Sequence, residues 1–294
     1  MADLLVTGIN GFVGRHVSTG LARAGHRLSV LVRKAADLDR AAQLGARPVH
    51  ADLTDLDRLA SEAARADGVV HCAASDAPSF QPVNAAVVAA MLEALRPGAA
   101  FVCHAGSLVF GPTPNAAPGL DGSGAYAPPP GLESRAATDR MVREAGARRD
   151  LRTAVIHASF VYGGVGAALP AALTDAARLA GASLYPGDGA ARWSTVHVED
   201  WADLIVAAVT KVPAGGRAYV AGGPDRSMAE IATLLGAALG LPTKAVDPAE
   251  AMDRWGFLGP ALSVPQVFDN RIARAEVGWA GPNDRLVSAL AVPA

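Results

Sequence analysis

The stretch Val6–Arg15, "VTGINGFVGR", decides how the rest of the chain is read. It follows an apolar run and leads into Val13, Val17 and Leu21, apolar residues at helical spacing, with Gly25 placed to end that helix. Gly8, Gly11 and Gly14 therefore occupy a strand-to-helix turn. Glycines there permit a tight bend and close backbone approach, and the helix that follows directs unpaired N–H groups toward a pyrophosphate. Asn10, Phe12, Val13 and Arg15 belong to the same turn. A tight structural turn is the plain alternative, but the strand before and the amphipathic helix after favour dinucleotide binding.

Outward from this turn, short β-like runs alternate with helical patterns: "DLLVT" then Phe12 to Ala24, "LSVLVR" then Ala36 to Leu44, "RPVHA" then Leu56 to Ala64, "GVVHCAA" then Val83 to Leu95, and "AFVCHAG". Such alternation predicts an α/β fold with a doubly wound parallel sheet, a Rossmann fold, whose sixth strand is "TAVIHASFVYG". The expected division is a dinucleotide-binding domain over residues 1–163 and a smaller, mainly helical substrate lobe over 164–294, some segments of which return to the sheet. In that lobe "SMAEIATLLGAALG" carries a capping box, Ser227 with Glu230, and ends at Gly240. The Pro/Gly-rich segment 111–131 reads either as a lid or as a surface excursion.

The 294 residues are 51% hydrophobic and 18% charged with net charge −2, which gives no electrostatic case for nucleic acid or anionic membrane. No signal-peptide pattern and no apolar run near the ~18 residues of a span is present, so a cytoplasmic protein is expected. Cys72 and Cys103 each fall inside a β-like run and read as buried thiols. The seven histidines show no metal-ligand spacing, and no metal is expected. A small-molecule substrate is the expected partner, and the chain reads as a monomer or a homodimer.

The spacing of Thr7, Gly8, Gly11 and Gly14 resembles the fingerprint of the extended short-chain dehydrogenase/reductases, the NAD-dependent epimerase/dehydratase family. "HADL", "VVHCAA", "VFG", "FVYG", "VHVED" and "AEVGWAG" resemble further family elements in order along the chain. The resemblance implies an adenine contact at Asp52 and Leu53, a cofactor wall at Cys72, Ala73 and Ala74, and an approach to the nicotinamide at Ser159 and Phe160. The second β run ends in Arg33 and Lys34, with no carboxylate at the diagnostic spot. Arginine accommodates a 2′-phosphate where an acid would bind a ribose hydroxyl, which favours NADP(H) over NAD(H).

Members of this family carry Tyr-x-x-x-Lys on one helix, and this chain has no such pair. Its four tyrosines, Tyr126, Tyr162, Tyr185 and Tyr219, are followed four residues later by Pro130, Gly166, Gly189 and Gly223. "GLESRAATD" aligned with the family motif puts Gly131 at the tyrosine and Arg135 at the lysine. Arg135 reads either as a cofactor contact or as an i,i+4 partner of Asp139, and its guanidinium cannot relay a proton. His104, Ser107 and Tyr162 are the candidate substitute acids or bases, and Asp76, Trp193 and His197 the candidate substrate-pocket residues. Bland readings compete with each: a packed histidine, a structural aromatic, a helix cap. The pattern resembles an atypical subgroup of the family that retains "RWSTVHVED" and "RWGFLGP". The expected activity is an oxidoreductase on a small apolar carbonyl or alcohol, with a redox-neutral isomerase, cyclase or lyase, or a non-catalytic NADP-binding sensor, as alternatives.

Overall fold

The computed structural model describes residues 1–75, 77 and 79–290. Its first half alternates as expected: β1 (Asp3–Thr7), α1 (Phe12–Arg23), β2 (Arg27–Val32), α2 (Ala35–Gln43), β3 (Arg47–His50), α3 (Leu56–Arg65), β4 (Gly68–His71), α4 (Phe80–Ala94), β5 (Ala100–Gly106), α5 (Glu133–Arg148) and β6 (Arg152–Ala158). Then come β7 (Phe160–Tyr162), α6 (Ala168–Ala180), β8 (Ser183–Pro186), β9 (Arg192–His197), α7 (Val198–Lys211), β10 (Gly215–Ala221), β11 (Asp225–Ser227) and α8 (Met228–Leu239). The chain closes with β12 (Thr243–Val246), α9 (Pro248–Trp255), α10 (Leu258–Ala261), α11 (Arg271–Val277) and α12 (Leu286–Leu290).

A seven-stranded sheet runs in the order β10-β6-β5-β4-β1-β2-β3, every pairing parallel. Successive side chains of a strand face opposite sides, so Leu4 and Val6 join one core and Leu5 the other. The first core packs Val17 and Leu21 of α1 and Leu204 and Ile205 of α7 against the sheet. The second packs Leu59 of α3, Val87 and Met91 of α4 and Val142 of α5 against the opposite face. Each such fully buried side chain contributes about 1.5–3 kcal/mol, which makes both layers obligatory.

One feature departs from a reading by segments. The run "TAVIHASFVYG" is not one strand: it breaks at Ser159, β6 staying in the main sheet while β7 joins a small sheet in the order β11-β9-β7. Segments after residue 163 return to the main sheet: β10 forms its edge beside β6, and α7 covers α1 and β5. Segment 111–131 is a pinned excursion rather than a cover. Leu120 bridges Phe268, Asp121 pairs with Arg271, and the Tyr126 hydroxyl donates to His157 Nε2 at 3.1 Å. Cys72 and Cys103 are free, buried thiols, and no helix among the described residues is long and apolar enough to cross a membrane.

Candidate active site

A cleft of about 1020 Å³ opens at the carboxyl ends of the strands, where the strand order reverses between β1 and β4. That reversal leaves a crevice in doubly wound sheets because the connections leave β1 and β4 in opposite directions. The glycine turn forms one wall. Gly8 has φ +74°, and a Cβ there would stand 2.5 Å from the Ala73 nitrogen and the Cys72 carbonyl carbon. A Cβ on Gly14 would stand 2.0 Å from the Gly8 oxygen, so Gly14 lies beneath the turn and serves its packing. Gly11 is the N-cap of α1, which has no side-chain cap and no acid in its first turn. Its free N–H groups and positive dipole end are suited to an anion.

The adjacent wall is held by a residue the sequence reading did not single out. Asp37 accepts from the backbone of Arg33 at 2.7 Å and of Lys34 at 3.0 Å through Oδ2, and from Asn10 Nδ2 at 2.5 Å through Oδ1. It thus ties the glycine turn to the end of β2. Burial raises its carboxyl, but those three donors outweigh burial and hold it below the usual aspartate range. The Arg33 guanidinium lies exposed, 3.7 Å from Asp52 Oδ2, at the open end of the cleft. Two hydrogen bonds from Thr54 hold Asp52 below its ordinary value.

Fifteen of the residues singled out converge on the cleft: Gly8, Asn10, Gly11, Phe12, Val13, Arg33, Lys34, Asp52, Leu53, Cys72, Ala73, Ala74, His104, Arg135 and Ser159. His104 Nε2 lies 3.4 Å from the Cys72 carbonyl, and its ring meets Trp201 edge-on at 5.1 Å. A carbonyl only accepts, so Nε2 carries the proton. Burial pushes the imidazole down to about 4, which leaves it neutral at neutral pH. Arg135 Nη2 donates to the Ser75 carbonyl at 3.3 Å. Ser159 Oγ donates to the Ser194 carbonyl.

Other candidates lie elsewhere. Ser107 is buried and donates to Gln266 Oε1 at 2.7 Å. Tyr162 donates to the Asn283 carbonyl at 3.4 Å and accepts from Arg285 N at 3.0 Å, and burial raises its pKa. Phe160 and Trp193 belong to the core of the C-terminal lobe, where the Trp193 indole donates to the Val264 carbonyl. His197 caps α7 by accepting from Glu199 N at 3.3 Å. Arg15 lines an adjoining surface depression with His16 and Arg40, and Asn10 borders both that depression and the cleft. Asp76 lies outside the described residues. Gly131, before the first turn of α5, has φ +92°, a conformation tyrosine rarely adopts.

Trp201, Val161 and Leu169 also line the cleft and give its inner end an apolar wall. Trp201 was hidden in sequence because α7 reaches the site only by packing back over β5. Among the described residues no three His, Cys, Asp or Glu side chains converge as a metal site.

A doubly wound sheet with an uncapped glycine turn at its crossover defines a nucleotide-binding class of α/β protein. The chain belongs to the NAD dependent epimerase/dehydratase family, whose model matches residues 4–222. Among its relatives, an uncharacterized protein of Schizosaccharomyces pombe is 29% identical over 292 residues, 98% of each chain. A protein of Streptomyces named 3-diazoavenalumate denitrifying reductase is 32% identical over 298 residues, covering 94% of this chain and 95% of that one. Among solved structures, a nucleoside-diphosphate-sugar epimerase from Pseudomonas aeruginosa superposes with a TM-score of 0.77 at 21% identity, covering 98% and 94% of the two chains. A dTDP-glucose 4,6-dehydratase from Bacillus anthracis in complex with NAD gives 0.76 at 18% identity, covering 99% and 96%.

Proposed function

We propose that the protein is a nicotinamide-dinucleotide-dependent reductase of small, largely apolar acceptors, and that it prefers NADP(H). The observation that carries the reading is the uncapped start of α1 at Gly11, facing a cleft that runs from Arg33 across the crossover to His104 and Trp201. The turn would hold the pyrophosphate, Asp52 and Leu53 the adenine end, and Arg33 with Lys34 the 2′-phosphate. Asp37 supports the NADP preference indirectly. Its Oδ2 already accepts from the Arg33 and Lys34 backbone and its Oδ1 from Asn10, so most of the acceptor capacity of the acid nearest the end of β2 is taken before a ribose hydroxyl arrives. When bound, the dinucleotide would supply hydride chemistry at the inner end, beside Ala73, His104 and Ser159. The reductase named in Streptomyces supports reduction over a redox-neutral reaction.

The test is a thermal-shift comparison of NADPH with NADH. We expect greater stabilisation by NADPH, and a loss of about tenfold or more in NADPH affinity, with little change for NADH, in Arg33→Ser. Equal stabilisation by both dinucleotides would remove the NADP assignment. Substrate turnover with no net change in cofactor absorbance would replace the reductase by an isomerase or lyase.

A further inference from the structure

Behind His104 and Arg135 the cleft continues into a chamber of about 60 Å³, between the ends of β4 and β5 and the N-terminal halves of α4 and α5. Ala73, Ala74, His104 and Arg135 line both spaces, so the two communicate. A polar void of this size holds a few water molecules. One wall of the chamber is Asp139, 7% exposed, whose Oδ2 has no hydrogen-bond partner among the described residues.

Its neighbours are committed elsewhere. His71 is bonded through Nδ1 to Thr7 at 2.8 Å and through Nε2 to Asn84 at 2.9 Å. The His104 N–H donates a hydrogen bond to the Cys72 carbonyl, and on the far side the Tyr126 hydroxyl donates one to His157. The charges that reach Asp139 are Arg135 and Arg143, one turn to either side on α5, and Cys103 of β5 lines the same chamber. A carboxylate with an unpaired oxygen in such a place costs far more than a neutral carboxylic acid.

We propose that Asp139 is the proton store of this site, a neutral carboxyl that passes its proton through chamber water to a group bound beside Arg135. The inference rests on the reductase reading, in which the acceptor needs a proton for the electron pair released when its carbon gains hydride. The Asp139 O–H bond breaks, an O–H or N–H bond forms on the acceptor, and the carboxylate left between Arg135 and Arg143 regains a proton from solvent. Burial pushes this carboxyl up to about 7 while the two arginines pull it down, so both protonation states are reachable near neutrality.

Infrared pH titration of the full chain, wild type against Asp139→Asn, with and without NADPH, decides the point. The wild type should show a protonated-carboxyl band at about pH 6 that fades through neutrality, shifts when NADPH binds and is missing from the variant. If the variant does not fold, ¹³C-aspartate labelling of the wild type and of Asp203→Asn, the other aspartate that burial raises, assigns the band. A carboxyl already ionised at about pH 6, or a band that NADPH leaves unmoved while cofactor fluorescence reports binding, overturns the proposal. Failure of NADPH and NADH to bind the wild type overturns the cofactor reading itself, and a missing band with normal binding overturns only the role of Asp139.

Discussion

At single residues, steric contacts and donors decide what the cleft can do. Gly8 has no room for a Cβ, with backbone atoms 2.5 Å away and φ at +74°. Gly8→Ala is expected to cost about 1–3 kcal/mol from the backbone conformation alone and to weaken dinucleotide binding, read as a lower Tm and a smaller NADPH-induced shift. Gly131 is a different case: nothing lies within 4 Å of its would-be Cβ, yet φ is +92°. A tyrosine placed there would have space but a strained backbone. Gly131→Tyr is therefore expected to lower Tm without creating a low-pKa phenol, and a phenolate appearing near neutral pH by ultraviolet titration would contradict this. These glycines were legible in sequence because a tight turn between a strand and a helix is a property of neighbouring residues. The placement of Ser107 was not: its partner Gln266 is 159 positions away.

Between elements, Asp37 does more than the motif that drew attention to the region. It joins β2, α2 and the glycine turn through three hydrogen bonds. Its folded-state pKa is lowered, so the ionised form contributes stability above the unfolded value of about 3.9, and that contribution is lost as pH falls through the lower folded value. Asp37→Asn keeps the shape but loses acceptor capacity, and we expect a loss of about 1–3 kcal/mol in urea unfolding at neutral pH. The difference from wild type should shrink on acidification below about pH 4. The sequence showed Arg33 and Lys34 at the end of a strand. It did not show that an acid four residues on folds back beneath them, because the i to i+4 contact forms only once α2 turns away from the sheet.

For the molecule as a whole, the two halves of the chain share one sheet. A chain cut after residue 163 would expose the β6 edge that β10 covers and the apolar side of α1 and β5 that α7 covers. Residues 1–163 alone are expected to aggregate or lack a cooperative melt by circular dichroism, and a cooperative transition would show that the first half is autonomous. Buried histidines make the fold acid-sensitive. Burial pushes His157 down to about 3, so the unfolded chain takes up protons there first and stability falls as pH drops below about 6.5. His157→Gln is expected to flatten that decline, by up to about 2 kcal/mol between pH 6.5 and 5, in urea midpoints. The sequence alone determined the parallel sheet, its helices, the glycine turn and the missing Tyr-x-x-x-Lys pair, because strand alternation, helical period and turn chemistry act between near neighbours. Only the tertiary structure decided that Trp201 lines the cleft and Asp139 the chamber behind it, while Ser107, Tyr162 and Trp193 line neither. Burial and hydrogen-bond pairing are settled by residues far apart in the chain.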